Sequence, residues 1–229
     1  MGKLILVRHG KSLWNVQNIF TGWTDIDLAT EGIAEAKKAG ELLKSNDICI
    51  DVCFSSYLKR AIRTAWITLD TANQMHVDTK YHWKLNERHY GAWQGHNKNQ
   101  ILKDVGEETY WGVRRGYYLS PPKLDPKDKQ QPKFDAHYKN IDPALLPLSE
   151  SLENTSKRVV NYYFEAIVPQ LVKGNTVLVS AHGNSLRALI GYIKNIPPED
   201  IAHLEVPTGE PNLYKFDDNL NLTEHYKLK

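Results

Sequence analysis

Two short apolar runs that each end in a His-Gly pair constrain the fold of this chain most strongly. The first run, LILVRHG, occupies residues 4–10, and the second, VLVSAHG, occupies residues 177–183. An apolar run of this length is typical of a strand that a parallel sheet buries on both faces. Ligands bind outside the carboxyl ends of such strands, so we expect His9 and His182 to form two walls of one site.

Strand-like and helix-like segments alternate through the rest of the chain. Strands are expected at residues 4–7, 52–55, 81–85 and 176–181, and helices at about 57–72, 97–117 and 185–194. A further helix should begin at the cap residue Thr30, with Ala36 and Leu43 on its apolar face. Asp217 and Asn219 would supply the turn of a C-terminal hairpin. The alternation predicts an α/β fold, a three-layer sandwich in which helices flank a mostly parallel central sheet.

Length and composition fit a single globular unit. The 229 residues are 41% hydrophobic, which is enough to bury a sizeable core, and no linker divides them. We therefore expect residues 1–229 to form one domain. A stretch rich in proline and lysine at about 118–142 is expected to form a long surface excursion. Because the chain ends at Lys229, close to the hairpin, we expect internal loops such as this one to close the site.

Charge and cysteine content narrow the classes of partner and compartment. The formal net charge is +2, too small a bias to indicate nucleic acid binding but compatible with a small acidic ligand. The only cysteines are Cys49 and Cys53, which argues against a disulfide framework and favours a reducing compartment. The sequence has no signal-peptide pattern and no apolar run long enough to span a membrane, so we expect a cytoplasmic protein without a membrane partner.

The residues around the first His-Gly pair suit phosphoryl chemistry. Arg8 offers a planar guanidinium that matches phosphate oxygens, and Gly10 and Gly183 would let a ligand approach the backbone. A neutral imidazole is a competent nucleophile when its other ring nitrogen is held by a hydrogen bond. A single histidine is usually a surface or core residue, but two at strand ends indicate a function. The pattern therefore suggests phosphoryl transfer through a phosphohistidine.

Several motifs together resemble the histidine phosphatase superfamily and, within it, the cofactor-dependent phosphoglycerate mutases. They cover nearly the whole chain and appear in the family's order. They are VRHGKSLWNVQNIFTGWTDIDL, LKRAIRTA, LNERHYGAWQGHNK, VRRGYY and SAHGNSLRALI. The RHG triplet alone is weak, because phosphatases share it, whereas FTGWTD with ERHYGAWQG and the paired arginines is highly specific. The resemblance implies a histidine phosphatase-like fold.

The resemblance also implies a role for each matching residue. His9 would be the phosphorylated nucleophile, His182 would donate to the transferring phosphoryl oxygens, and Glu87 would be the general acid and base. Arg8 and Arg60 would clamp the phosphoryl group. The residues implied to help that clamp or to line the substrate pocket are Ser12, Asn15, Thr21, Gly22, Arg88, His89, Tyr90, Lys98, Arg114, Arg115, Gly183 and Asn184. Without the resemblance, the paired arginines would count as solvated surface charge.

The implied activity is the interconversion of 3-phosphoglycerate and 2-phosphoglycerate in glycolysis and gluconeogenesis. Phospho-His9 would give its phosphoryl group to the substrate, and 2,3-bisphosphoglycerate would serve as the intermediate and as the primer of the enzyme. The partners are then small phosphoglycerates, no metal is needed, and a homodimer is the expected assembly. Three alternatives stay open: a bisphosphoglycerate mutase, a phosphatase that lets water reach phospho-His9, and a catalytically silent binding protein.

Two further features need separate treatment. His82, His89 and His96 stand at intervals of seven residues and invite a metal site. An odd interval puts successive side chains on opposite faces of a strand, and glycines interrupt the segment, so we expect no metal there. Lys11 departs from the family's usual Glu or Gln after His-Gly. It either points to solvent with little effect or tightens phosphate binding and slows product release.

Overall fold

The fold is built on one six-stranded sheet, in a computed structural model that describes residues 2–229. The strands are β1 (Lys3–Arg8), β2 (Val52–Ser55), β3 (Thr79–Tyr81), β4 (Thr176–Ala181), β5 (Asn212–Phe216) and β6 (Leu222–Lys227). Their order across the sheet is β3-β2-β4-β1-β5-β6. The first four strands in that order pair in parallel, and β5 pairs antiparallel with β1 and β6. The predicted mostly parallel sheet and C-terminal hairpin are confirmed.

Helices make up most of the connections between these strands. They are α1 (Leu13–Val16), α2 (Thr30–Ser45), α3 (Lys59–Thr71), α4 (Lys98–Val105), α5 (Glu107–Arg114), α6 (Leu152–Tyr162), α7 (Val168–Val172) and α8 (Gly183–Ile193). A π-helical turn, Tyr163–Ile167, joins α6 to α7. None of the helices within residues 2–229 has the length and apolar character that crossing a bilayer requires.

The helices pack on both faces of the sheet and give the predicted three-layer sandwich. Leu4 and Leu6 of β1 pack with the apolar sides of α6, α7 and α8. Ile5 and Val7 of the same strand pack with α2 and α3 on the other face. Successive strand side chains point to opposite faces, so a strand covered on both sides has apolar residues at nearly every position. This double burial explains why β1 and β4 are continuous apolar runs in the sequence.

The segment after β3 differs from the sequence-based prediction. The strand predicted at 81–85 is wrong in position, because β3 ends at Tyr81 and Trp83–Leu85 form a 3₁₀ turn. The turn buries Trp83, whose ring centroid lies 6.0 Å from that of Trp23. Burial of a large aromatic ring outweighs the local preference of this segment for an extended strand. Tertiary packing therefore sets the end of β3.

Two helix boundaries also differ from the prediction. The helix predicted at 97–117 is wrong as one element, because Gly106 separates α4 from α5. Its φ of +79° is a left-handed value that favours glycine. Thr30 is not a helix cap: the N-cap of α2 is Ala29, which makes no side-chain capping bond, and Thr30 is the first helical residue. The backbone conformation of Gly106 therefore ends α4, and that of Ala29 precedes the first turn of α2.

The excursion at 118–142 is mostly irregular chain, but it is not wholly at the surface. Leu124 and Tyr138 are buried, and the Tyr138 ring stacks on Trp23 with centroids 5.1 Å apart. The Tyr138 hydroxyl also accepts a hydrogen bond of 2.8 Å from the Asn86 side chain. The excursion thereby packs against the loop that follows β3 and helps to hold it in place.

Candidate active site

The carboxyl ends of β1 and β4 bring two histidines together. The strands are parallel neighbours with Arg8 opposite Ala181, and the His9 amide donates to the Ala181 carbonyl at 2.9 Å. His9 and His182 follow the two strands directly, and their ring centroids lie 5.0 Å apart. Both side chains are buried. Residues from opposite ends of the chain therefore share one polar region at the edge of the sheet.

His9 has the protonation state of a nucleophile. Its Nδ1 lies 2.7 Å from the Gly10 carbonyl oxygen, and because a carbonyl only accepts, Nδ1 carries the proton. Nε2 then holds an unshared electron pair. Burial lowers the pKa of His9 well below its usual value, and Arg60 and Arg8 lower that pKa further. At neutral pH, His9 is therefore an uncharged imidazole whose Nε2 is available for attack.

His182 is held by a serine that precedes α3. Its Nε2 lies 2.7 Å from the Ser56 hydroxyl oxygen, which accepts a hydrogen bond from the Leu58 amide. The Ser56 hydroxyl can then donate its own proton to Nε2, which puts the proton of neutral His182 on Nδ1. Burial, followed by the charge of Arg60, lowers the pKa of His182 well below its usual value. Nδ1 is buried without a hydrogen-bond partner in residues 2–229, so it is a candidate donor to a ligand.

Two arginines lie beside the histidines, and backbone carbonyls fix both guanidinium groups. Arg60 donates through Nη2 to the Gly22 carbonyl at 2.7 Å and through Nη1 to the Thr24 carbonyl at 3.0 Å. Arg8 donates through Nη1 to the Val206 carbonyl at 2.8 Å. The Nε atoms of both arginines are buried and have no partner in the described part of the chain. Carbonyls are neutral, so both guanidinium charges remain available to an anion.

Glu87 is held at its backbone and at its carboxylate. The Glu87 carbonyl accepts hydrogen bonds from Trp23 Nε1 and from Arg158 Nη2. Its carboxylate Oε1 accepts from the amides of Arg88 and Asn184, at 2.8 and 3.0 Å. The second of these amides belongs to the first turn of α8, where helix amides favour negative charge. Both bonds go to Oε1, so Oε2 is the oxygen that can exchange a proton with a ligand.

A buried ion pair supports the loop that carries Glu87. Arg158 Nε and Nη2 lie 2.7 and 2.8 Å from the two carboxylate oxygens of Glu150. The two residues are only 8% and 3% exposed. Arg158 also donates to the Asn86 carbonyl at 2.9 Å, and Glu150 accepts from the His89 amide at 2.8 Å. The pair thereby fixes the backbone on both sides of Glu87.

These groups surround a cavity with strongly positive walls. The predicted site residues that line it are Arg8, His9, Asn15, Thr21, Gly22, Arg60, Glu87, Tyr90, Lys98, Arg114, Arg115, Gly183 and Asn184. His182 lies next to this lining, beside His9. Among the lining residues that the structure describes, six are lysines or arginines and only two carry a carboxylate. Such an excess of clustered cations favours a ligand with several negative charges.

Two residues predicted to bind substrate lie off the cavity and position its lining. The Ser12 hydroxyl accepts from the Asn15 amide at 3.2 Å and caps α1, which brings Asn15 to the cavity. Arg88 is buried and donates to the Arg114 carbonyl at 2.9 Å and to the Tyr90 hydroxyl at 3.0 Å. In the structure, Ser12 and Arg88 therefore bind and position other residues of the protein, and they do not line the cavity.

His89, also predicted to bind substrate, is buried away from the cavity. Its Nδ1 accepts a hydrogen bond of 3.0 Å from the Gly91 amide. Burial, followed by the charge of Arg158, lowers the pKa of His89 to about 3. In the unfolded chain the pKa of a histidine is about 6.5. At pH values between the folded and the unfolded pKa, only the unfolded state therefore binds the proton. The resulting stability is full above the unfolded pKa and is lost as pH falls toward the folded pKa.

The variant His89→Asn should therefore change how stability depends on pH. Asparagine keeps an oxygen that can accept from the Gly91 amide, but it has no proton to gain. We expect the free energy of unfolding of the wild type to fall more steeply from pH 6 to pH 4, by about 1.4 kcal/mol per pH unit relative to the variant. Urea unfolding at a series of pH values measures both slopes. Equal slopes would contradict the neutral state of His89.

The sequence-based prediction missed three polar residues of this site. Arg187 and Glu205 line the cavity, and Ser56 holds His182. Arg187 stands four residues after Gly183, and this spacing places both residues on one side of α8. The spacing could therefore have predicted that Arg187 lines the cavity. Glu205 belongs to the loop between α8 and β5, where no local pattern indicates the direction of a side chain.

The structure corrects the role expected for Gly10 and favours one of the two roles considered for Lys11. A Cβ on Gly10 would lie 2.1 Å from the Gly32 carbonyl oxygen, so glycine here admits the backbone of α2, not a ligand. The Lys11 side chain is exposed and does not line the cavity, and its amide donates to Glu35. The structure favours the interpretation in which Lys11 points to solvent.

The histidines at seven-residue intervals do not converge. The His82 ring stacks on Tyr162 with centroids 4.1 Å apart, whereas His96 is exposed. Among residues 2–229, no group of three or more His, Cys, Asp or Glu side chains is placed to hold a metal ion.

Comparisons with known proteins agree with this fold. The family model of the histidine phosphatase superfamily (branch 1) matches residues 4–131 and 122–228. YhfR of Bacillus stearothermophilus has a similar fold, with a TM-score of 0.75 and 20% identity over 97% of this chain and 95% of that chain. The chain belongs to the histidine phosphatase superfamily.

Two curated relatives narrow this assignment to one family. A 2,3-bisphosphoglycerate-dependent phosphoglycerate mutase of Nautilia profundicola is 49% identical over 100% of both chains. A phosphoglycerate mutase of Candida albicans is 50% identical over 98% of this chain and 90% of the relative. Within the superfamily, the chain is a member of the phosphoglycerate mutase family.

Proposed function

We propose that this protein interconverts 3-phosphoglycerate and 2-phosphoglycerate through a phosphohistidine at His9, as an enzyme of glycolysis and gluconeogenesis. The observation that carries the proposal is the neutral His9 imidazole, with Nε2 available for attack, beside the charges of Arg8 and Arg60. A phosphoryl group at this position would meet a nucleophile and two cations. The mutase relatives, which match along the whole chain, support phosphoglycerate as the substrate.

In the transfer step, His9 Nε2 forms a bond to phosphorus while the bond from phosphorus to the substrate oxygen breaks. Glu87 in its acid form gives a proton to that leaving oxygen. Glu87 takes a proton from the attacking substrate hydroxyl when phospho-His9 returns its phosphoryl group. Arg8 and Arg60 stabilise the negative charge on the phosphoryl oxygens, and His182 Nδ1 donates to one of them.

The cations farther out in the cavity suit the rest of a phosphoglycerate. Lys98, Arg114, Arg115 and Arg187 would bind its carboxylate and remaining phosphate. Burial lowers the pKa of Lys98, and Arg114 lowers that pKa further. Burial, followed by the charge of Arg115, lowers the pKa of Arg187 to about 10. Both groups stay charged at neutral pH, and an anionic ligand relieves the repulsion between them and the arginines.

We infer that 2,3-bisphosphoglycerate is the primer and the intermediate. The buried Nε atoms of Arg8 and Arg60 and the buried Thr21 hydroxyl have no hydrogen-bond partner among residues 2–229. Buried polar atoms are normally paired, so these groups fit additional phosphoryl oxygens. When bound, the bisphosphate supplies the phosphoryl group that His9 takes up. The excess of cations in the lining also fits its high negative charge.

We further propose a cytoplasmic homodimer that acts without a metal ion. Cys49 and Cys53 are free thiols, which suits a reducing compartment. At the β3 edge of the sheet, the exposed Trp66 of α3 donates to the hydroxyl of the exposed Tyr81 at 2.8 Å. Aromatic side chains beside an unpaired strand edge suit contact with a second copy. The arginines beside His9 supply the positive charge that phosphoryl transfer needs.

A mutase assay that follows 2-phosphoglycerate formation from 3-phosphoglycerate tests the proposed function. It is run with and without added 2,3-bisphosphoglycerate, and repeated with a chelator. We expect turnover that rises with the bisphosphate and does not change with the chelator. Inorganic phosphate released faster than 2-phosphoglycerate would indicate a phosphatase. Binding of 3-phosphoglycerate without either product would indicate a silent binding protein.

A further inference from the structure

Glu205 is an anion in a cavity that is otherwise suited to anions. Its Oε1 lies 2.8 Å from Nη2 of Arg115, and both residues line the cavity. Among the lining residues that the structure describes, the other carboxylate is Glu87, which backbone amides already hold. The side chains are 66% exposed for Glu205 and 26% exposed for Arg115, so water reaches the pair. The ion pair therefore stands at the open side of the cavity.

The backbone around Glu205 is held by two arginines of the same cavity. Arg187 Nε donates to the Leu204 carbonyl at 3.1 Å, and Arg8 Nη1 donates to the Val206 carbonyl at 2.8 Å. The backbone carbonyls of the residues before and after Glu205 are thereby held. Its exposed side chain can still change rotamer without moving that backbone. Glu205 can therefore leave Arg115 while the wall of the cavity stays in place.

We propose that Glu205 is a competing anion that occupies Arg115 until an anionic group of the substrate displaces it. The inference rests on the proposed function, in which Arg115 binds the carboxylate or the second phosphate of a phosphoglycerate. Water and salt screen an exposed ion pair, so a phosphate group with up to two negative charges can replace a single carboxylate there. Glu205 then weakens the binding of every anion that needs Arg115, and it speeds the release of product.

This role also bears on which ligands the cavity accepts. A ligand with one anionic group at His9 leaves the pair of Glu205 and Arg115 intact and gains nothing from Arg115. A ligand with two anionic groups can reach both places, and only its second group competes with Glu205. Specificity is a difference between the affinities of two ligands. Because Glu205 competes at Arg115, a group of the ligand must be strongly anionic to bind there.

The variant Glu205→Gln tests this proposal, because glutamine keeps the shape of the side chain and removes its charge. We expect the dissociation constant of 3-phosphoglycerate, measured by calorimetry, to fall about threefold. KM in the mutase assay should fall with it, whereas kcat should not rise. A matched control is Glu210→Gln, since Glu210 pairs with Lys227 at 2.6 Å outside the cavity. That variant should bind 3-phosphoglycerate as the wild type does.

A second comparison asks whether Glu205 acts through Arg115. In an Arg115→Ala background, Glu205→Gln should no longer tighten the binding of 3-phosphoglycerate. The proposal is overturned if Glu205→Gln binds no tighter than Glu210→Gln, or if the gain persists without Arg115. Tighter binding without mutase turnover would remove the proposed function and leave this inference standing. Mutase turnover with unchanged binding in Glu205→Gln would support the proposed function and overturn this inference. If the wild type did not bind 3-phosphoglycerate, both the proposed function and this inference would be overturned.

Discussion

Replacing His9 by alanine should abolish mutase turnover and leave no phosphohistidine signal in the phosphorus NMR spectrum. The variant lacks the Nε2 atom that would bond to phosphorus, and its remaining polar groups can only bind the substrate. Loss of an enzyme's nucleophile lowers kcat by about 10⁴-fold or more. The measurements are the coupled mutase assay and phosphorus NMR after addition of 2,3-bisphosphoglycerate. Binding of 3-phosphoglycerate should persist, because Arg8 and Arg60 remain in place.

The matched control for this variant is His76→Ala. His76 is exposed and does not line the cavity, so its loss should change neither turnover nor the phosphohistidine signal. Urea unfolding of His9→Ala shows whether the fold survives the substitution. A folded His9→Ala variant that still turns over, or that still shows a phosphohistidine signal, would contradict the role assigned to His9.

Replacing Glu150 by glutamine should give the largest loss of stability. Arg158 would keep its charge in a buried place without a carboxylate, and breaking a buried ion pair in this way costs about 3–5 kcal/mol. Arg158 still donates to backbone carbonyls, so we expect the lower end, about 3 kcal/mol in the free energy of unfolding. For a chain of this length, that loss lowers the melting temperature by about 6–12 °C.

The same substitution should lower kcat more than it changes KM. Arg158 and Glu150 fix the backbone beside Glu87, whereas the cations that bind the substrate come from other elements. The control is Glu153→Gln on α6, the helix that carries Arg158, because Glu153 pairs with Lys157 at 2.9 Å in water. An exposed pair contributes about 0–1 kcal/mol, so this control should unfold nearly as the wild type does. Equal losses in the two variants would contradict the importance of the buried pair.

The sheet could be predicted from the sequence because double burial leaves a strong local pattern. A strand covered on both faces is mostly apolar, and the central residues of β1 and β4 show this directly. The positions of His9 and His182 follow from the same pattern, since each residue comes directly after such a strand. The end of β3 could not be read in this way, because packing of Trp83 against Trp23 decided it.

The rest of the site depends on the directions of loop side chains, which the sequence does not encode locally. Glu87 lines the cavity, but Arg88 and His89 beside it turn into the protein, although all three lie within one motif. Ser12 likewise serves α1 and not the cavity. Glu205 reaches the cavity because two arginines hold its neighbouring carbonyls. A resemblance between motifs therefore transfers positions along the chain more safely than it transfers contacts.

The place of β1 in the sheet makes the reactive site depend on strands that are synthesised much later. β1 is made first, yet its two neighbours are β4 and β5, which begin at Thr176 and Asn212. Until β4 and β5 have left the ribosome, the two edges of this apolar strand lack their partners. Such long-range pairing folds slowly and exposes the nascent chain to aggregation. Translation that stops before Thr176 would therefore leave His9 at the end of an unpaired, apolar strand that chaperones must protect.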